Sequence, residues 1–119
     1  MKKTLVFGAS LKPNRYSNLA VNRLVAHAIE TEAFGLKAGE VSGIQIKTNF
    51  DDFQNIDTIT LYINPRQQPI YYDAIIGLGP RRVIFNPGTE NPDFYRLLEQ
   101  AGIEVEVACT LVLLATDQY

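Results

Sequence analysis

Thr4-Leu5-Val6-Phe7 runs straight into Gly8-Ala9-Ser10, an apolar stretch without polar alternation that stops on a glycine. A strand of that kind is buried on both faces, as strands are in a parallel sheet covered by helices. After a polar loop the pattern turns helical. Ser17 is placed to cap a helix reaching about Ala28, and Ala20, Leu24, Val25 and Ala28 recur at helical spacing as one buried stripe. Strand, turn and helix in immediate succession are the opening of a β-α-β fold.

The alternation continues along the chain. Thr58 to Ile63 is a strong β run stopped by Asn64-Pro65. Pro69 suits the first turn of a helix with Ile70, Ala74, Ile75 and Leu78 as its stripe; it ends near Gly77 to Gly79, and Pro80 prevents its continuation. Val83-Ile84-Phe85 is a short buried strand broken at Asn86-Pro87-Gly88. Asn91-Pro92 reads as an N-cap followed by proline at the first helical position, Phe94, Leu97, Leu98 and Ala101 keep the helical spacing, and Gly102 closes the helix. Ile103-Glu104-Val105-Glu106-Val107 alternates, so this strand has one wet face and belongs near a sheet edge. Between Ile29 and Gly43 the pattern is weaker. It allows a strand around Thr31 to Phe34, then a loop punctuated by Gly35, Gly39 and Gly43, a short extra strand at Ile44-Gln45-Ile46, and one helical turn at Phe50 to Phe53. Pattern alone leaves the tail from Cys109 open between helix and strand.

These elements predict one α/β domain over residues 1–119, a Rossmann-type three-layer fold. Its core is a central parallel sheet of about five strands, with right-handed crossovers and helices on both faces. Thr58–Ile63 is expected beside the first strand, on the side away from Thr31–Phe34. The strand order then reverses between those two strands, and at such a switch point open α/β sheets bind ligands. Gly8-Ala9-Ser10 and Ile63-Asn64-Pro65 face each other there.

Composition narrows the function classes. A net charge of −2 supplies no bulk attraction for nucleic acid or an anionic membrane. Tyr71-Tyr72 and Phe50/Phe53 read as packing rather than a base-stacking platform, because basic residues do not interleave with them. The single cysteine, Cys109, excludes an internal disulfide framework and fits a reducing compartment, so a cytoplasmic location is expected. Leu5-Val6-Phe7 is too short for the core of a signal peptide, and Leu111 to Ala115 is far below the ~20 residues of a membrane span.

The first strand–turn–helix has the place of a dinucleotide fingerprint without its spelling. The three glycine positions of G-x-G-x-x-G read Gly8, Ser10 and Pro13. A phosphate can still sit at the helix N-terminus, with Ser10, Ser17 and Arg15 as donors. An NAD site also wants an acidic residue at the end of the second strand for a ribose hydroxyl; here that end reads Phe34-Gly35-Leu36-Lys37. A lysine suits an extra phosphate, such as the 3′-phosphate of coenzyme A or the 2′-phosphate of NADP. Catalytic machinery is not visible. His27 lies late in the first helix, away from the crevice, and Cys109 sits among apolar residues, where a thiol tends to be inert. Asp51-Asp52 is better explained by helix capping than by acid–base chemistry, and no metal-ligand spacing exists.

Phe7-Gly8-Ala9-Ser10 with Pro13-Asn14-Arg15-Tyr16-Ser17 resembles the opening of the small bacterial CoA-binding proteins, single domains similar to the N-terminal CoA-binding domain of the succinyl-CoA synthetase alpha subunit. Tyr62-Ile63-Asn64-Pro65 resembles that family's V-N-P turn, Phe85 to Thr89 its aromatic, turn and G-T, and Ala101-Gly102-Ile103 its step into the last strand. Two stretches depart: Phe34-Gly35-Leu36 stands where a second V-N-P is usual, and Ala108-Cys109 where an R-C pair is usual. The resemblance implies contacts to coenzyme A or an acyl-CoA from Gly8, Ala9, Ser10, Arg15 and Ser17, from Ile63, Asn64 and Pro65, and from Asn86, Pro87 and Gly88, with Lys37 as the extra cation. The reading is thus a CoA-binding protein without catalytic residues of its own. Its expected partner is a small nucleotide cofactor, with no nucleic acid and no membrane, and the sequence leaves any protein partner open. The alternatives are an NAD(P)-binding domain of an oxidoreductase and a regulatory module with a decayed pocket.

Overall fold

The computed structural model describes residues 2–119. Its central strand is β1 (Thr4–Phe7), buried at all four positions, as its unbroken apolar run requires. On one side lies β2 (Thr31–Phe34) and on the other β5 (Thr58–Leu61), both parallel to β1. β5 therefore stands where the alternation of elements predicts it. β6 (Arg82–Phe85) and β7 (Glu104–Val107) extend that side in parallel, and β7 is the expected edge strand.

Among the described residues the sheet has seven strands rather than about five, in the order β3 (Gly39–Val41), β4 (Ile44–Lys47), β2, β1, β5, β6, β7, and it is mixed rather than purely parallel. The additions are β4, parallel to β2, and β3, antiparallel to β4. The pattern leaves β3 in a loop because its only large apolar residue is Val41. What makes it a strand is the two-residue turn Ser42-Gly43, with both residues at positive φ, which twists a hairpin back onto β4.

Strand pleating sends alternate side chains to two helical layers. Leu5, Phe7, Ile59, Leu61, Val83 and Phe85 pack against α2 (Tyr72–Leu78) and α3 (Pro92–Gln100) through Ile75, Phe94 and Leu98. Val6, Ala33 and Ile46 pack against α1 (Tyr16–Ala26) and α4 (Thr110–Ala115) through Val21, Leu24 and Leu114. The tail left open by pattern is thus a helix. Among the described residues no helix is long and apolar enough to cross a membrane.

Helix boundaries show where local signals compete. At α3, Asn91 caps as read, its side chain accepting from the Phe94 amide at 3.2 Å with Pro92 next. At α1 the N-cap is Arg15, not Ser17, and it makes no side-chain capping bond. A tight turn already binds the Arg15 amide to the Lys12 carbonyl at 3.1 Å, so the helix begins before the serine and Ser17 is buried inside its first turn. The far end also stops early: Ala28 lies outside α1 at φ 58, and the buried stripe runs through Ser17, Ala20, Val21 and Leu24. Ile70, read as part of the α2 stripe, lies in a preceding 3-10 turn and is exposed, as is Leu97 on α3.

Candidate functional site

The reversal of strand order between β1 and β5 opens a crevice at their carboxyl ends. Its floor is two turns in contact. A Cβ on Gly8, which sits at φ +101, would come 3.0 Å from Ile63 and 3.1 Å from the Tyr62 backbone. The Gly8 and Ala9 amides both donate to the Phe34 carbonyl, at 2.9 and 2.8 Å, tying this turn to the end of β2. There a Cβ on Gly35 would lie 2.4 Å from the Ala9 carbonyl oxygen, so the backbone of the departing stretch Phe34-Gly35-Leu36 has no room for a side chain at its middle position. Within the loop, the Ser10 hydroxyl accepts from the Lys12 amide and the Ser10 carbonyl from the Asn18 side chain.

Two adjoining cavities occupy the crevice, of about 770 and about 340 Å³, and both are lined by Gly8, Ser10, Lys12, Arg15, Tyr62 and Asn64. The larger one continues along Ala9, Leu11, Ile63 and the β2 end to Lys37. The smaller one continues past Tyr16 and Ser17 to Pro87, Gly88 and Thr89. Among the described residues, no Asp or Glu is in either wall. Among the described residues, Lys12, Arg15 and Lys37 have no acidic partner within ion-pair distance. The first amides of α1 add to this field, because the opening turn of a helix leaves its N–H groups without intrahelical acceptors and this one holds no acidic residue.

Of the residues singled out from sequence, Gly8, Ala9, Ser10, Arg15, Lys37, Ile63 and Asn64 meet in the larger cavity, and Ser17, Pro87 and Gly88 join in the smaller. Pro65 and Asn86 are in neither wall. Asn86 is 1 % exposed and turned into the protein. Its amide donates to the Thr60 hydroxyl at 2.7 Å and the Leu61 carbonyl at 2.9 Å, while its oxygen accepts from the Thr110 amide at 2.8 Å.

Sequence reasoning missed Lys12, although it lies in the loop already singled out. It also missed Gln68, which is fully buried. The Gln68 amide donates to the Ile63 and Thr89 carbonyls, both at 2.8 Å, and its oxygen accepts from Asn91. It thereby holds the β5 and β6 turns at a set distance across the smaller cavity. No signal in the polar run Arg66-Gln67-Gln68 distinguishes it.

Residues 2–115 match the family described as CoA binding domain. The chain belongs to the CoA binding domain family. No curated protein matches it. Among solved structures, an uncharacterized protein is 46% identical over 100% of this chain and 98% of its own, with a TM-score of 0.96. A hypothetical protein from Pyrococcus horikoshii OT3 is 27% identical, over 93% of this chain and 80% of its own, at a TM-score of 0.83. A protein from Thermus thermophilus shares the fold at 20% identity, over 99% and 90% of the two chains, with a TM-score of 0.88.

In this CoA binding domain, neither His27 nor Cys109 is in a cavity wall. His27 is the exposed C-cap of α1, and Cys109 is the half-buried N-cap of α4. Among the described residues no group of three metal-ligating side chains occurs.

Tyr62 lines both cavities. Its hydroxyl is buried with no hydrogen-bond partner among the described residues, and burial pushes its pKa up to about 12. The phenol is therefore neutral at physiological pH. Because the folded pKa lies above the unfolded value, the associated stability is intact below pH ~10 and is lost as pH rises toward 12, by roughly 2–3 kcal/mol. In Tyr62→Phe that part of the alkaline slope should vanish, with stability at neutral pH equal or higher. Urea melts at pH 8 and above pH 10 test this; an unchanged alkaline slope would refute it.

Proposed function

We propose that this chain is a single-domain cytoplasmic module that binds coenzyme A or an acyl-CoA in the crevice and carries no catalytic residues of its own. One observation carries the reading: among the described residues, three cations without acidic partners converge on two cavities whose walls hold no carboxylate, in a protein whose net charge is −2. Such a site favours a ligand with several anionic groups. Family membership supports coenzyme A in particular.

The spacing of the cations suggests a direction for the cofactor. Lys37, at the far end of the larger cavity, suits the 3′-phosphate, with the adenosine against Leu11 and Leu36. Lys12 and Arg15, common to both cavities, suit the diphosphate, helped by the α1 amides and Ser17. The pantetheine arm then follows the smaller cavity toward Gly88 and Thr89. NAD lacks the extra phosphate, and the end of β2 supplies no acid for its ribose.

A thermal-shift series with CoA, dephospho-CoA, NAD, NADP and ATP tests the reading. CoA at ~100 times its dissociation constant should add ~2.7 kcal/mol of stability and raise Tm most. A larger shift with NAD or NADP would make this an NAD(P)-binding domain, and no shift with any of them would leave a pocket that has lost its ligand.

A further inference from the structure

The β6 turn carries a carboxylate that the cationic character of the crevice does not explain. Gly88, in the wall of the smaller cavity, has its amide directed at Glu90, whose Oε1 accepts from it at 2.9 Å. Glu90 is exposed, and among the described residues it has no cationic partner within ion-pair distance. A backbone amide in a glycine turn is a natural donor to an incoming anion. Here the chain's own carboxylate occupies that donor and sets a negative charge beside the end of the cavity.

We infer that Glu90 is a specificity residue: it turns away thioesters whose acyl group bears a carboxylate, and leaves the site to free CoA or uncharged acyl groups. The inference rests on the proposed direction of the cofactor, which brings the thiol end to Gly88. In that arrangement Lys12 and Arg15 are neutralised by the diphosphate, so they do not offset a second carboxylate near the turn. The acyl carboxylate meets Glu90 as a like charge, and the amide that would receive it is already bonded. Specificity built from a repulsive element needs no contact with the favoured ligand.

Succinyl-CoA and butyryl-CoA test this, because their acyl groups have four carbons each and differ in the terminal carboxylate. Dissociation constants are measured by calorimetry for both and for CoA, at low and high salt, on wild type, Glu90→Gln and Glu90→Ala. Wild type should bind succinyl-CoA roughly threefold to fivefold more weakly than butyryl-CoA at low salt, the range of an exposed like-charge pair, and salt should shrink the difference. Both variants should bring the ratio close to one. Equal binding by wild type, or a ratio that persists in both variants, overturns the role of Glu90 while leaving CoA binding intact. Failure of CoA itself to bind wild type overturns the proposed function instead.

Discussion

Asn86→Ala should lower the free energy of unfolding by about 3–5 kcal/mol, a fall in Tm of about 10–20 °C for a domain of this size. The substitution strands the Leu61 carbonyl, the Thr110 amide and one side of the Thr60 hydroxyl in the interior, where each lost partner costs about 1–3 kcal/mol. The Thr60 and Thr110 hydroxyls, bonded to each other at 2.7 Å, recover part of the loss, which limits the estimate. The damage should be greatest at α4, whose first amide is held by Asn86 and whose N-cap, Cys109, makes no side-chain capping bond. Chemical denaturation measures the total, and hydrogen exchange locates it. An unchanged midpoint, with CoA binding reduced, would instead mark Asn86 as a ligand contact.

The second large effect is on affinity. Lys12→Ala and Arg15→Ala should each weaken CoA binding roughly ten- to hundredfold, the loss of one charge-assisted contact worth ~1.5–3 kcal/mol. Folding stability should barely move, since both side chains are exposed and neither has an ion-pair partner among the described residues. Lys37→Ala should show a similar loss for CoA and none for dephospho-CoA, because dephospho-CoA lacks the phosphate that the proposed direction sets against this lysine. Titrations of the three variants with both ligands read this directly. A Lys37→Ala penalty of equal size for both ligands would refute the proposed direction, and full affinity in all three variants would refute the anion site.

The central strands β1 and β5, the α3 cap at Asn91-Pro92 and the edge position of β7 are legible in the sequence, whereas β2 shows there only as a weak segment. Each rests on a signal carried by adjacent residues: an unbroken apolar run, a capping side chain three residues from its amide, a two-residue alternation. The order of the central strands follows as well, because right-handed crossovers leave few ways to lay alternating strands and helices into one sheet. That order brings the turn after β1 and the turn after β5 together, and so ten of the twelve residues singled out line the crevice.

The sequence by itself therefore determined the layers, the central strand order and the two turns that meet at the crevice. Tertiary structure alone decided the rest. β3 exists because a hairpin turn presses a weak segment onto β4, and Arg15 caps α1 because a preceding turn starts the helix early. Asn86 points inward and Gln68 bridges two turns, although as letters both look like any polar loop residue. Apart from the nearby Ile63 carbonyl at Gln68, their partners lie more than twenty residues away, at Thr60, Leu61 and Thr110 for Asn86 and at Thr89 and Asn91 for Gln68. A buried polar side chain takes its role from whichever backbone groups strand register sets beside it, and register is a property of the assembled sheet rather than of any segment within it.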